Sequence, residues 1–132
     1  MEKIVTEIRD RINLEIKMKF KSYYYAAKAV NKSPSFFYGY RNLQTIDSLN
    51  EMCRTVDVSL EYILTGKNKS RYSPVNITFN GLMGVYKSER GNHSSAEIQT
   101  IYRIKHGCFK ISLDVLARLA EKYGKSIYEL IR

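Results

Sequence analysis

The stretch VDVSLEYILTG at 56–66 and the stretch YGKSIYELI at 123–131 carry the same order of apolar and hydroxyl residues, 67 positions apart. Sliding the chain by that offset lays Leu49 on Leu116, Met52 on Leu119, Cys53 on Ala120, Val56 on Tyr123, Ser59 on Ser126, Leu60 on Ile127 and Ile63 on Leu130. Within each copy the first four of these fall at i, i+3, i+4 and i+7, the spacing of one helix face. A short break follows, then a serine suited to accept from the N–H groups that open a helix, then LEYIL or IYELI. Any two amphipathic helices share some apolar matches. Two helices, one break and one capping serine in a single register exceed that chance level and mark an internal repeat.

Upstream of the first copy, Ile4, Ile8, Ile12 and Ile16 form a stripe that predicts a helix over about 3–19. SYYYAAKAVN fits a second helix, and SPSFFYGYRN a third, with Ser33 as cap and Pro34 at the first helical position, where proline is tolerated. In the second copy, SSAEIQTIYRIKHG has Ser94 or Ser95 to cap it, Ile98, Ile101 and Ile104 as its expected buried stripe, and Gly107 as a natural residue just past its end. Before it, FNGLMGVYKSER places Phe79, Leu82, Met83 and Tyr86 at helical spacing, although Gly81 and Gly84 weaken that helix by roughly 1 kcal/mol each. An irregular loop with Gly91 and His93 should follow. KNKSRYSP at 67–74 is polar, basic and ends in proline, as a tether would. The expectation is an all-α chain: a first domain over 1–66, a linker over 67–74 and a second, abbreviated domain over 75–132.

With 132 residues, 44% apolar and 12% aromatic, the chain can build a folded core. No apolar run approaches the ~18 residues a membrane span needs, and MEKIVTEIRD alternates charges with aliphatics, so a soluble cytoplasmic protein is expected. Cys53 and Cys108 form no CxxC pair, and His93 and His106 complete no metal-ligand spacing, so neither a metal nor a cofactor is expected, and Cys53 reads as a small buried hydrophobe. No paired-carboxylate, nucleophile–base or glycine-rich phosphate signature is present, which argues against an enzyme. Net charge is +9 and uneven. Residues 1–66 hold 10 Lys/Arg against 8 Asp/Glu, and residues 67–132 hold 12 against 5. A basic second half attracts polyanions and favours nucleic acid, though lysine-rich surfaces also serve solubility.

Residues 101–130, IYRIKHGCFKISLDVLARLAEKYGKSIYEL, resemble the lambda-repressor-like, Cro/XRE-type helix-turn-helix family from the end of its recognition helix, through a glycine-centred turn, into its last two helices. VDVSLEYILTGK at 56–67 resembles that family's usual domain ending. The resemblance implies two helix-turn-helix domains in tandem and sequence-specific binding to double-stranded DNA, as a transcriptional repressor or autoregulator of phage or mobile-element type. A different class stays open: a helix-turn-helix interaction protein that binds and inhibits a nucleic-acid-handling protein.

A helix in the major groove must turn long polar side chains to base edges. Opposite Ile98, Ile101 and Ile104 stand Gln99, Arg103 and His106, with Thr100 and Tyr102 on the flanks and Lys105 and Lys110 nearer the phosphates. Gln suits adenine and Arg guanine, each pair giving about 1–3 kcal/mol of discrimination. A plain solvated face is the alternative. In the first copy, taking Phe37 and Tyr40 as inward leaves Ser35, Tyr38 and Asn42 outward, with Arg41 to one side. Tyr23, Tyr24, Tyr25, Tyr38 and Tyr40 could equally make a protein-binding or dimer surface. The aromatic, weakly charged first copy suits pairing, so a homodimer is expected.

Overall fold

Val5, Ile8, Ile12 and Ile16 recur every three or four residues, and in the computed structural model they line the buried face of α1 (Glu2–Phe20), with Ile4 half-buried at its edge. The structure describes residues 2–20, 25, 28, 45–89 and 91–132. The second and third helices read at SYYYAAKAVN and SPSFFYGYRN lie outside the described residues, apart from Tyr25 and Lys28, which are helical. The described chain continues with α2 (Ile46–Val56), α3 (Leu60–Thr65), α4 (Asn80–Ser88), α5 (Ser95–Lys105), α6 (Leu113–Tyr123) and α7 (Ile127–Ile131). Among the described residues the class is all-α, with one isolated antiparallel bridge between Thr45 and Ser112. No helix among them is long and apolar enough to cross a membrane.

The 67-residue offset survives in the structure to the residue. α2 and α6 are 11 residues each, capped at Thr45 and Ser112. Both end in a left-handed residue, Asp57 (φ 57°) and Gly124 (φ 63°). The closing bond is also the same, Val58 N–H to Cys53 O at 3.1 Å and Lys125 N–H to Ala120 O at 3.0 Å. Ser59 and Ser126 then cap α3 and α7 by accepting from Tyr62 N–H and Glu129 N–H, and Glu129 completes a capping box. Helices of six and five residues do not persist alone. They hold because Leu60, Ile63 and Leu64 in α3, and Ile127, Leu130 and Ile131 in α7, are buried.

Asp57 occupies a conformation that glycine adopts freely and that costs other residues roughly 1–2 kcal/mol. Its carboxylate is tied to the following stretch: Arg71 Nε donates at 2.9 Å and Tyr72 N–H at 3.2 Å, and these bonds hold Asp57 below its ordinary pKa. The stretch read as a tether is thus fixed at several points. Lys69 Nζ sits 2.7 Å from Glu15, a carboxylate inside the apolar stripe of α1, and Ser70 O accepts from Ser59 N–H at 2.9 Å. Tyr72 reaches Asn50 on α2 through its hydroxyl, and Tyr72, Val75 and Ile77 pack partly buried against the core.

The two halves share one continuous apolar core. α1 packs on α6, α3 packs on α7, and Ile46 N–H donates to Ile111 O at 2.9 Å beside the Thr45–Ser112 bridge. Near 79–89, one helix and a following irregular stretch with Gly91 and His93 are found as read from the sequence. The glycines of α4 are not equivalent, however. A Cβ on Gly81 would lie 1.9 Å from Glu129 O, whereas one on Gly84 would meet nothing within 4 Å. Gly81 is where α4 crosses α7, so its missing side chain is a packing requirement.

Candidate nucleic-acid interface

α5 is fixed at both ends by its own sequence. Ser94, rather than Ser95, is the cap, and its hydroxyl accepts from Glu97 N–H. At the other end Gly107 takes φ 79°, its N–H donates to Ile104 O at 3.0 Å, and Cys108 N–H donates to Arg103 O at 2.9 Å.

The inward face differs from the one read in the sequence. Ile101 and Ile104 are buried as expected, but Ile98 is 50% exposed, and Glu97 and Thr100 take the inner positions. The reason is that polar side chains bury readily when their bonds are made. Thr100 Oγ1 donates to Ala96 O at 2.9 Å within the helix. Glu97 is met by Lys122 Nζ at 2.7 Å, by the Tyr123 hydroxyl in a short hydrogen bond, and by His93 Nδ1 at 3.2 Å, which stacks on Tyr86. Burial alone would push the Glu97 carboxyl up, but Lys122, Tyr123 and His93 outweigh it and bring the group below its ordinary pKa. Tyr123 moves the other way, since burial and then the Glu97 carboxylate both disfavour its ionised form. The Ser94-x-x-Glu97 spacing was the available signal that Glu97 turns toward its own helix start; the sequence could not supply Lys122 and Tyr123 as its partners.

This rotation centres the outer face on Gln99, Tyr102 and His106, with Arg103 and Lys105 on its flanks. Gln99, Tyr102, Arg103, Lys105, His106 and Lys110 are exposed; Thr100, read as a flank contact, is turned inward at 6% exposure. Tyr102 and His106 rings lie 4.0 Å apart, and His106 Nδ1 is 2.8 Å from Tyr102 O. A carbonyl only accepts, so Nδ1 carries the hydrogen and Nε2 is the acceptor of the neutral ring. Arg103 Nη2 lies 3.3 Å from Lys110 O and 3.5 Å from Cys108 Sγ, fastening the loop after α5 to the helix. The Arg103 guanidinium beside Cys108, then the Lys110 backbone, hold that thiol below its usual range, while burial pushes the Cys53 thiol up. Ser35, Tyr38, Arg41 and Asn42 lie outside the described residues. Among the described residues, no three His, Cys, Asp or Glu side chains gather as a metal site requires.

Compared with known proteins, the chain matches no family model, no curated protein and no solved structure.

Proposed function

We propose that the chain is a sequence-specific binder of double-stranded DNA, acting as a repressor or autoregulator of phage or mobile-element type through two tandem helix-turn-helix units, with the outer face of α5 in the major groove. The carrying observation is that face: Gln99, Arg103 and His106 exposed together on a helix whose ends and inner side are fixed by Ser94, Gly107 and Glu97. Base readout requires long hydrogen-bonding side chains on a rigid support, and this helix supplies both. The +7 charge of residues 67–132 supports the reading through attraction to phosphate.

Selection of bound sequences from a random duplex pool tests it, followed by substitution. Arg103→Ala should cost about 1–3 kcal/mol at the selected site and blur one base pair, while Lys110→Ala should weaken all sequences alike and flatten the salt dependence. DNA affinity unchanged by both, in folded variants, would sink the groove assignment.

A second reading rests on a separate observation. Ile98 and Tyr102, one turn apart on α5, are 50% and 62% exposed, and such an apolar pair suits a protein partner. On that reading the chain inhibits a nucleic-acid-handling protein, and the pool selection returns no preferred sequence.

A further inference from the structure

We infer that the chain is its own pair: the contact by which two copies of the repeat meet is closed within one molecule, and a single chain occupies one duplex at a site without twofold symmetry. The statement about the duplex rests on the function proposed above; the internal pairing stands apart from it.

Thr45 and Ser112 are the same position of the repeat, and they bridge each other in antiparallel sense. α3 and α7 are likewise the same element, beginning at Leu60 and Ile127, and they pack together. A contact in which one patch meets its own equivalent defines a local twofold axis, and it is the kind of contact by which separate subunits form a closed dimer. Here both patches belong to one chain and cover each other. Among the described residues, the patches around Thr45 and Ser112 and on α3 and α7 are therefore already taken and are not offered to a second chain.

The pairing is also unequal in a way that two identical chains would not be. α1 packs on both α2 and α6, whereas the non-helical stretch around Tyr72 reaches α2 through the Tyr72 hydroxyl and Asn50. The outward residues read from the sequence differ too: Gln99, Arg103 and His106 in the second copy against Ser35, Tyr38 and Asn42 in the first. Two unlike reading surfaces call for two unlike half-sites.

The test uses the full chain with Thr45→Cys and Ser112→Cys in a Cys108→Ser background. The Ile46-to-Ile111 bond flanks this bridge, making it a non-hydrogen-bonded pair, for which Cα atoms lie about 4.5 Å apart. That falls inside the roughly 4.4–6.8 Å that a disulfide spans. Oxidation of the dilute variant should close the bond within one chain, at a mass near 15.4 kDa. Disulfide-linked dimers overturn the inference, as does an absent bond in a variant whose circular dichroism matches the unsubstituted chain. Sedimentation of the unsubstituted protein on its selected duplex should give one chain per duplex and a sequence with no inverted repeat. Two chains on an inverted repeat overturn the single-chain site. If no sequence is selected, the DNA reading falls, and the disulfide result alone decides the pairing.

Discussion

Gly81 and Gly84 stand one turn apart on α4, yet the same substitution should act on them in opposite directions. Alanine in place of glycine favours a helix by roughly 1 kcal/mol. At Gly84 nothing opposes that gain, and Gly84→Ala should raise the urea midpoint by the equivalent of about 0.5–1 kcal/mol. At Gly81 the new methyl would run into the Glu129 carbonyl, and backbone has to shift to admit it. Overpacking of that kind costs typically ~1–3 kcal/mol, so Gly81→Ala should lower the midpoint despite the propensity gain. Equal stability of the two variants would remove the close approach of α4 to α7. Phe79, at the start of the same helix, carries φ 57° and is fully buried. It is held there by two N–H groups, its own and that of Thr78, that both donate to Ile131 O at 2.9 Å, and by edge contact with Phe109. The sequence marked these positions as a helix with two weak points, because a glycine's partner is invisible until the chain is folded around it.

Between α5 and α6 the Glu97 cluster makes the attachment pH-dependent, and the sign follows from the directions of the shifts. The Glu97 carboxyl has a lower pKa in the folded chain than when unfolded. It therefore contributes stability that is present above the ordinary glutamate value of about 4.3 and is lost as pH falls through the lower folded value. Asp57 acts in the same sense through Arg71 and Tyr72. Tyr123 is shifted upward, so its contribution is whole below the ordinary tyrosine value of about 10 and shrinks as pH rises beyond it. Glu97→Gln should flatten the acid side of a stability–pH curve and Tyr123→Phe the alkaline side, both read by urea denaturation at a series of pH values. Curves that keep the unsubstituted shape would show that the cluster does not couple to folding. Elements of this kind separate what the sequence discloses from what it withholds. The helix pairs at 46–65 and 113–131, with caps at Ser59 and Ser126, a cap at Ser94 or Ser95 and the turn at Gly107, were legible because each rests on local spacing and local bonds. The inner face of α5 was not: hydrophobicity ranks Ile98 above Glu97 and Thr100, and the order reverses when Lys122 and Tyr123 arrive from another helix.

For the whole molecule, one shared core implies one transition. Leu49 and Leu116 are fully buried at the same position of the two repeats, so Leu49→Ala and Leu116→Ala should each destabilise by about 2–5 kcal/mol. Both should shift a single two-state urea curve, with fluorescence and circular dichroism coincident. Two resolved transitions, each responding to one substitution, would mean that the halves unfold independently. Charge asymmetry and the repeat were plain in the sequence, but the closure of the repeat on itself was not, since an offset of 67 says that two segments are alike and nothing about whether they touch. Under the proposed single-chain site, that closure has a consequence for how the molecule answers to its own abundance. Partners in a dimer separate on dilution, and their combined action varies with the square of the amount made when amounts are small. Halves joined in one polypeptide stay together at any dilution, so on the single-chain site proposed above occupancy of a target at low amounts would rise in simple proportion to the number of chains: a graded dose response, with no threshold of synthesis to cross.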